Sequence, residues 1–355
     1  MKKILWNYNK SASQNEGYKT SAEQISSRLY KKGLNSQIFT GDSPIPISVF
    51  NLISQSIYDP GIINCDSNDI VINNTLPFNY KISNGYNIGF SYWETTRIPK
   101  EWVDNMNAMD EIWTTSDFIK KSFIDSGVTV PVYSFSLGID EYLYNPILRR
   151  KNTPFTFLSI GSPSTRKNSQ MTVDAYVELF GNDDRYKLIY KSMGEPDARL
   201  FKNTPNMTSI SKHPCIEVIE DDLSDNDLAS LYDQVDCLVY PTSGEGWGWL
   251  PFQSIAKAIP TICTSGTACS EYAHLSIPLD FEWSSEGLFG LYNGNGEWMK
   301  PNFQDLCDKM LDVTCNYEKY ANETYRNVVE VFKYMTWDYA IEGYYQRICQ
   351  ILNQL

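Results

Sequence analysis

Residues 240–260 read Tyr-Pro-Thr-Ser-Gly-Glu-Gly-Trp-Gly-Trp-Leu-Pro-Phe-Gln-Ser-Ile-Ala-Lys-Ala-Ile-Pro. The stretch closes a short apolar run, residues 237–240, and leads into a partly helical segment, residues 248–258. It reads as a strand, a glycine turn and a helix start. Gly244, Gly246 and Gly248 allow a tight turn and bring backbone N–H groups close to a ligand. The helix start offers N–H donors and a partial positive charge, a setting that suits a phosphate. Glu245 stands in the mouth of this loop, where a carboxylate accepts hydrogen bonds from hydroxyl groups. Eight residues on, Gln253 falls on the helix toward the same ligand.

Working outward, the same strand-then-helix alternation continues in both directions. Strands are expected at residues 155–160, 187–191, 216–219 and 260–264, with helices at 171–180 and 225–232. The loop 161–168 between the first strand and helix carries glycine, serine and proline. Toward the N-terminus, residues 4–8 read as a strand and 9–19 as a polar loop. A helix follows, with Ala22, Ile25 and Leu29 on one face and Gly33 at its end. Further strands are expected at 37–39, 69–73, 86–91, 111–115 and 130–135, and a helix at 102–109. Ser116 is placed to cap a helix over 118–126 that stops at Gly127. Residues 337–352 form one amphipathic helix. Such alternation predicts α/β layering with mainly parallel sheets.

The chain has 355 residues, and single cores stop growing beyond roughly 250–300 residues. Two domains are therefore expected. The break falls in the basic, proline-bearing stretch 142–154. This gives a first domain over 1–145, a second over 146–335, and a C-terminal helix over 336–355.

Composition narrows the function classes. The formal net charge is −13, which argues against a surface built throughout for nucleic acid. Eight cysteines include no Cys-x-x-Cys pair, and there are only two histidines, so a zinc site has little support. No run of 18 apolar residues exists, and the opening apolar run is too short for a secretion signal. Reduced thiols and a cytoplasmic location are the simplest expectation. A nicotinamide-binding dehydrogenase is disfavoured, because no Gly-x-Gly-x-x-Gly follows residues 4–8.

The string at 240–260 resembles the signature of family 4 glycosyltransferases, retaining enzymes of the GT-B fold. That signature runs Pro-Ser, Glu-Gly-Phe-Gly, Leu-Pro, a second Glu eight residues after the first, then Ala-x-Ala-x-Gly-x-Pro-Val. Pro241, Glu245, Gly246, Gly248, Leu250, Pro251, Ala256 and Pro260 match, and Trp247 replaces the Phe. Gln253 stands at the second Glu and Ile259 at the glycine before the proline. The resemblance implies a fold of two Rossmann-like α/β domains facing across a cleft. It implies that Glu245 holds donor-sugar hydroxyls and that position 253 meets the ribose of the nucleotide.

Other segments join the resemblance. Residues 155–168 are similar to the family's strand and glycine leading to basic residues on the donor diphosphate. Lys167 matches the family's lysine. Ser162 stands where the family has an arginine, and Arg166 is assigned that work. Gly17, in residues 15–20, is similar to the N-terminal glycine that borders the phosphates. Gly266 and Thr267 correspond to a loop whose backbone faces the diphosphate. Ser-Tyr-Trp-Glu-Thr at 91–95 resembles a Trp-Glu stretch of related transferases. It makes Glu94 the candidate for contact with the reacting sugar or acceptor, and both histidines lie in the second half of the chain.

The resemblance implies transfer of a sugar from a nucleotide-diphosphate sugar to a hydroxyl, with retention. No cofactor is expected beyond that co-substrate, and no metal. The acceptor is a glycan, a lipid-linked sugar or a protein hydroxyl. A hydroxylated base in DNA is an alternative acceptor. A GT-B-like binding protein without turnover is the alternative of another class. Asp225-Asn226-Asp227 has the spacing of metal-dependent transferases, but it opens an expected helix, where acidic residues serve as caps.

Overall fold

The computed structural model describes residues 2–8, 16–39, 62–193 and 212–355. They divide into two compact units. One comprises Met1–Gly138, Glu286–Gly296 and Trp337–Leu355, and the other Ile139–Ser285 and Glu297–Thr336.

The first unit holds a six-stranded parallel sheet. Its strands are β1 (Lys3–Asn7), β2 (Asn35–Phe39), β3 (Ile70–Asn74), β4 (Tyr86–Phe90), β5 (Glu111–Thr114) and β6 (Val132–Ser134), in spatial order β2-β1-β3-β4-β5-β6. Helix α1 spans Glu16–Lys31. It starts earlier than expected, so Gly17 lies in its first turn and not in a loop. The reason is an apolar face one turn longer than the one read from sequence: Tyr18, Ala22, Ile25 and Leu29 are all buried. The rest of the anticipated loop, residues 9–15, lies outside the described residues. Helices α2 (Lys100–Asn107) and α3 (Asp117–Asp125) follow. The Ser116 side chain caps α3 as expected, accepting from the Ile119 N–H.

The last helix of the chain, Trp337–Gln354, also belongs to this unit. Its Tyr344 ring packs 4.8 Å from Phe135 and 5.6 Å from Trp113, and its hydroxyl donates to the Phe135 carbonyl at 3.0 Å. Arg347 of the same helix forks onto Glu111, which is fully buried on β5. Glu111 also accepts from Trp113 Nε1 at 2.6 Å and from the Tyr86 hydroxyl at 3.0 Å.

The second unit repeats the layering. Its strands are β7 (Phe155–Gly161), β8 (Tyr186–Ser192), β9 (Ile216–Ile219), β10 (Cys237–Tyr240), β11 (Thr261–Thr264) and β12 (Ile277–Leu279), all parallel, in the order β9-β8-β7-β10-β11-β12. Every residue of β7, β10 and β11 is buried, as expected for central strands covered on both faces. On one face Phe157, Leu188, Tyr190 and Val239 pack with Tyr176, Leu306 and Met310. Those partners lie on α4 (Ser169–Phe180) and on a helix, Phe303–Cys315, that sequence reading did not single out. By alternation, Leu158, Ile160, Ile189, Lys191, Leu238 and Tyr240 project to the opposite face. Two further helices of this unit are α5 (Asp225–Tyr232) and α6 (Trp249–Ala256). The Ser224 side chain caps α5 by accepting from the Asp227 N–H, which places the Asp-Asn-Asp run in a helix start. A strand Phe281–Ser285 pairs antiparallel with Glu297–Pro301. Among the described residues, no helix is long and apolar enough to cross a membrane.

Candidate functional site

In the second sheet the strand order reverses between β7 and β10. The crevice beyond the carboxyl ends of such strands is where open α/β sheets bind ligands. Two loops leave the sheet there, one after Gly161 and one after Tyr240. The first makes a 3-10 turn over Thr165–Lys167, capped by the Ser164 side chain, which accepts from the Lys167 N–H. Asn168 follows in the left-handed region at φ 52°. Its side-chain amide donates to the Pro241 carbonyl at 2.9 Å and to the Ser243 hydroxyl at 2.7 Å. Ser243 N–H in turn donates to the Arg166 carbonyl at 2.7 Å. The two loops are thus tied together, with Arg166 and Lys167 held against the glycine turn.

Glu245 lies at the centre. It is 5% exposed. Its Oε1 accepts from Lys167 Nζ at 2.6 Å, from the Thr242 hydroxyl at 2.8 Å and from the Tyr240 hydroxyl at 3.0 Å, and it lies 3.2 Å from the Arg166 guanidinium. Arg166 also donates to the Gly244 carbonyl, and Lys167 meets the Tyr240 hydroxyl at 2.6 Å. Burial alone would push the carboxyl pKa up. The Lys167 and Arg166 charges and the donated hydrogen bonds outweigh it and bring it down to about 2. Glu245 is therefore a carboxylate at any physiological pH. All of these contacts converge on Oε1, and among the described residues none is made by Oε2.

The backbone around Glu245 is fixed from the other side. Its N–H donates to the Thr267 hydroxyl at 3.1 Å, and its carbonyl accepts from the Ala268 N–H at 3.3 Å. Thr267 itself holds φ 50°. A Cβ on Gly266 would meet Met299 Sδ at 2.6 Å and Phe281 at 2.7 Å, so only glycine fits against that strand pair. Gly248, at φ 86°, starts α6. A Cβ there would run into the Tyr272 hydroxyl and lie 3.0 Å from Cys269 Sγ. Pro251 occupies the first turn of α6 and has no N–H, so this helix start presents one donor fewer than expected. Trp247 packs edge-on to Phe252 and Tyr272, and its buried Nε1 has no hydrogen-bond partner. Gln253 is half-buried on α6 and accepts weakly from the Tyr232 hydroxyl at 3.4 Å.

The structure therefore gathers Arg166, Lys167, Gly244, Glu245, Gly246, Trp247, Gly248, Gln253, Gly266 and Thr267 within the second unit. Glu94 and Gly17 belong to the first unit. Glu94 follows β4, half-buried, and its Oε2 accepts from the Tyr292 hydroxyl at 3.4 Å. Burial raises the pKa of Tyr18, next to Gly17, and the Glu94 charge adds to that. Sequence reading assigned no role to the hydroxyls of Tyr240 and Thr242 or to the bridging amide of Asn168. The one signal for Tyr240 is its place as the last residue of the strand at the order reversal, on the face away from the packed core.

No protein-family model and no curated protein matches the sequence. In structure the chain is similar to sucrose-phosphate synthase from Thermosynechococcus elongatus, with a TM-score of 0.69 and 11% identity over 100% of both chains. It is similar to HepE of Anabaena, solved in complex with UDP and glucose, with a TM-score of 0.66 and 11% identity over 100% of both chains. The pneumococcal O-GlcNAc transferase GtfA, solved with UDP and GlcNAc, is similar at a TM-score of 0.58 and 12% identity, over 81% of this chain and 58% of that one. At such identities the likeness is one of fold, and this chain, with its two parallel six-stranded sheets, has the GT-B glycosyltransferase fold.

Proposed function

We propose that this chain is a nucleotide-sugar glycosyltransferase of the retaining kind, moving a sugar from a nucleoside-diphosphate donor to a hydroxyl acceptor. The observation that carries the reading is the buried Glu245 carboxylate. It is held by two cations through one oxygen, at the order reversal of a GT-B sheet. Oε2 is then the atom that accepts hydrogen bonds from donor-sugar hydroxyls. Arg166 and Lys167 face the departing diphosphate, where negative charge builds as the glycosidic bond breaks. Such fixed charges are worth roughly 3 kcal/mol each in comparable sites. The unpaired Nε1 of Trp247 and the backbone of Gly266 and Thr267 supply further donors. Gln253 meets the ribose as a neutral partner. The leaving phosphate takes the acceptor proton on the same face of the sugar, so no second catalytic carboxylate is required of the kind glycoside hydrolases use. Glu94 and Gly17 serve the acceptor side. Uridine diphosphate sugars are the first donors to try, because the HepE and GtfA structures hold UDP.

A thermal-shift panel of nucleoside diphosphates and nucleotide sugars tests the donor half. A true donor at a hundredfold excess over its Kd stabilises the fold by about 2.7 kcal/mol. Release of nucleoside diphosphate from the stabilising sugar nucleotide, abolished by Glu245→Ala, tests turnover. Binding without release for every sugar nucleotide would point instead to a binding protein, and no binding at all would sink both readings.

A further inference from the structure

The second unit buries two lysines outside the Glu245 cluster, Lys191 at 3% exposure and Lys257 at 2%. Lys257 is neutralised by Asp233 at 2.7 Å. Lys191 is not: among the described residues its ammonium meets one acceptor, the backbone carbonyl of Ser192. An ammonium taken out of water without a carboxylate is costly to the fold. Burial accordingly lowers its pKa, with only the more distant Asp222 and Asp221 acting against that.

Its position gives the cost a purpose. Lys191 stands at the carboxyl end of β8, in register with Ile160 of β7 on one side and Ile219 of β9 on the other. Ile160 is level with Tyr240 of β10, since Leu158 pairs with Leu238 two residues earlier. Lys191 and Tyr240 thus project from the same face of the sheet, two strands apart, about 10 Å at the usual strand spacing. The Tyr240 hydroxyl touches both Glu245 and Lys167. A donor whose sugar and diphosphate lie at Glu245 and Lys167 runs along this strand-end row, with its nucleoside toward β8 and β9. Met193 and Ile219, half-buried beside Lys191, offer an apolar surface to a flat ring.

We infer that Lys191 reads the nucleobase of the donor by donating to a ring carbonyl, which makes this a site for oxo bases. The inference rests on the donor reading given above. An ammonium is a donor only. It pairs with the carbonyl oxygen of uracil, thymine or guanine, and it meets another donor, the exocyclic amino group, at the matching position of cytosine or adenine. A buried group left unpaired by the wrong ligand discriminates strongly.

Titration calorimetry with UDP, TDP, GDP, CDP, ADP and inorganic pyrophosphate, on the wild-type chain and on Lys191→Met, tests it. The wild type is expected to bind at least one of UDP, TDP and GDP tenfold or more tighter than both CDP and ADP. Lys191→Met is expected to bring that ratio to threefold or less, to leave pyrophosphate affinity unchanged, and to melt no lower than wild type, since it removes a buried charge without orphaning a partner. Equal wild-type affinity for all five nucleotides overturns the inference and leaves the donor reading standing. So does a variant that keeps the discrimination, or one that weakens pyrophosphate as much as UDP and so shows a phosphate contact. A variant that melts well below wild type with its preference intact shows a structural lysine and overturns it too. Absence of binding by every nucleotide overturns the donor reading itself.

Discussion

Glu245 carries its charge at a cost that its neighbours repay. Its pKa is about 2 in the fold, against an ordinary 4.5. A carboxyl with a depressed folded pKa contributes stability that is complete above its unfolded pKa and is lost as pH falls through the folded one. The window is therefore between about pH 4.5 and 2, and the contribution is on the order of 3 kcal/mol. Glu245→Gln is expected to lower the urea midpoint at neutral pH and to flatten its decline across that window. An unchanged acid limb would show that the carboxylate is not held as described. Much of this residue's setting was legible: the glycines around Glu245 and the basic pair at 166–167 stand out in the sequence. The convergence of Lys167, Tyr240 and Thr242 on one oxygen was not, because it joins a strand end to a turn more than seventy residues away. Lys191 was the least legible. A lysine closing a strand reads as a solvated end, and only the register shows it covered.

Among elements, the last helix stakes most on one side chain. Arg347 reaches Glu111, which has no exposure at all, and its guanidinium lies 4.5 Å over the Tyr133 ring. Removing one partner of a buried pair costs roughly 3–5 kcal/mol. Arg347→Met is expected to destabilise by that amount in chemical denaturation, and adding Glu111→Gln to recover a substantial part. If the single variant costs under about 1 kcal/mol, the pair behaves as a surface bridge would. The strands and most helices were readable because parallel strands buried on both faces appear as short apolar runs. Helices Phe303–Cys315 and Tyr317–Tyr334 escaped notice, although Leu306, Met310 and Val313 have helical spacing. Only a single Asn316 separates them, with no glycine or proline to mark the break. Strand Phe281–Ser285 escaped because its residues are largely exposed and lack an alternating pattern.

At the scale of the whole molecule, one unit is assembled from three separate stretches of chain and the other from two. The first sheet is finished by Tyr344, Ile348 and Ile351, which come from the final helix and are fully buried. A chain ended at residue 336 is expected to expose Phe90, Trp113 and Phe135, to bind a hydrophobic dye, and to lose its first unit to protease before its second. Equal resistance of both units would overturn this. Synthesis runs from the N-terminus at about 5–20 residues per second. The segments of the second unit are all present once residue 336 has emerged, while the first, begun earliest, waits for the last nineteen residues. The half that starts translation is thus the half completed at its end, and its apolar sheet spends the longest time on the ribosome in need of a chaperone.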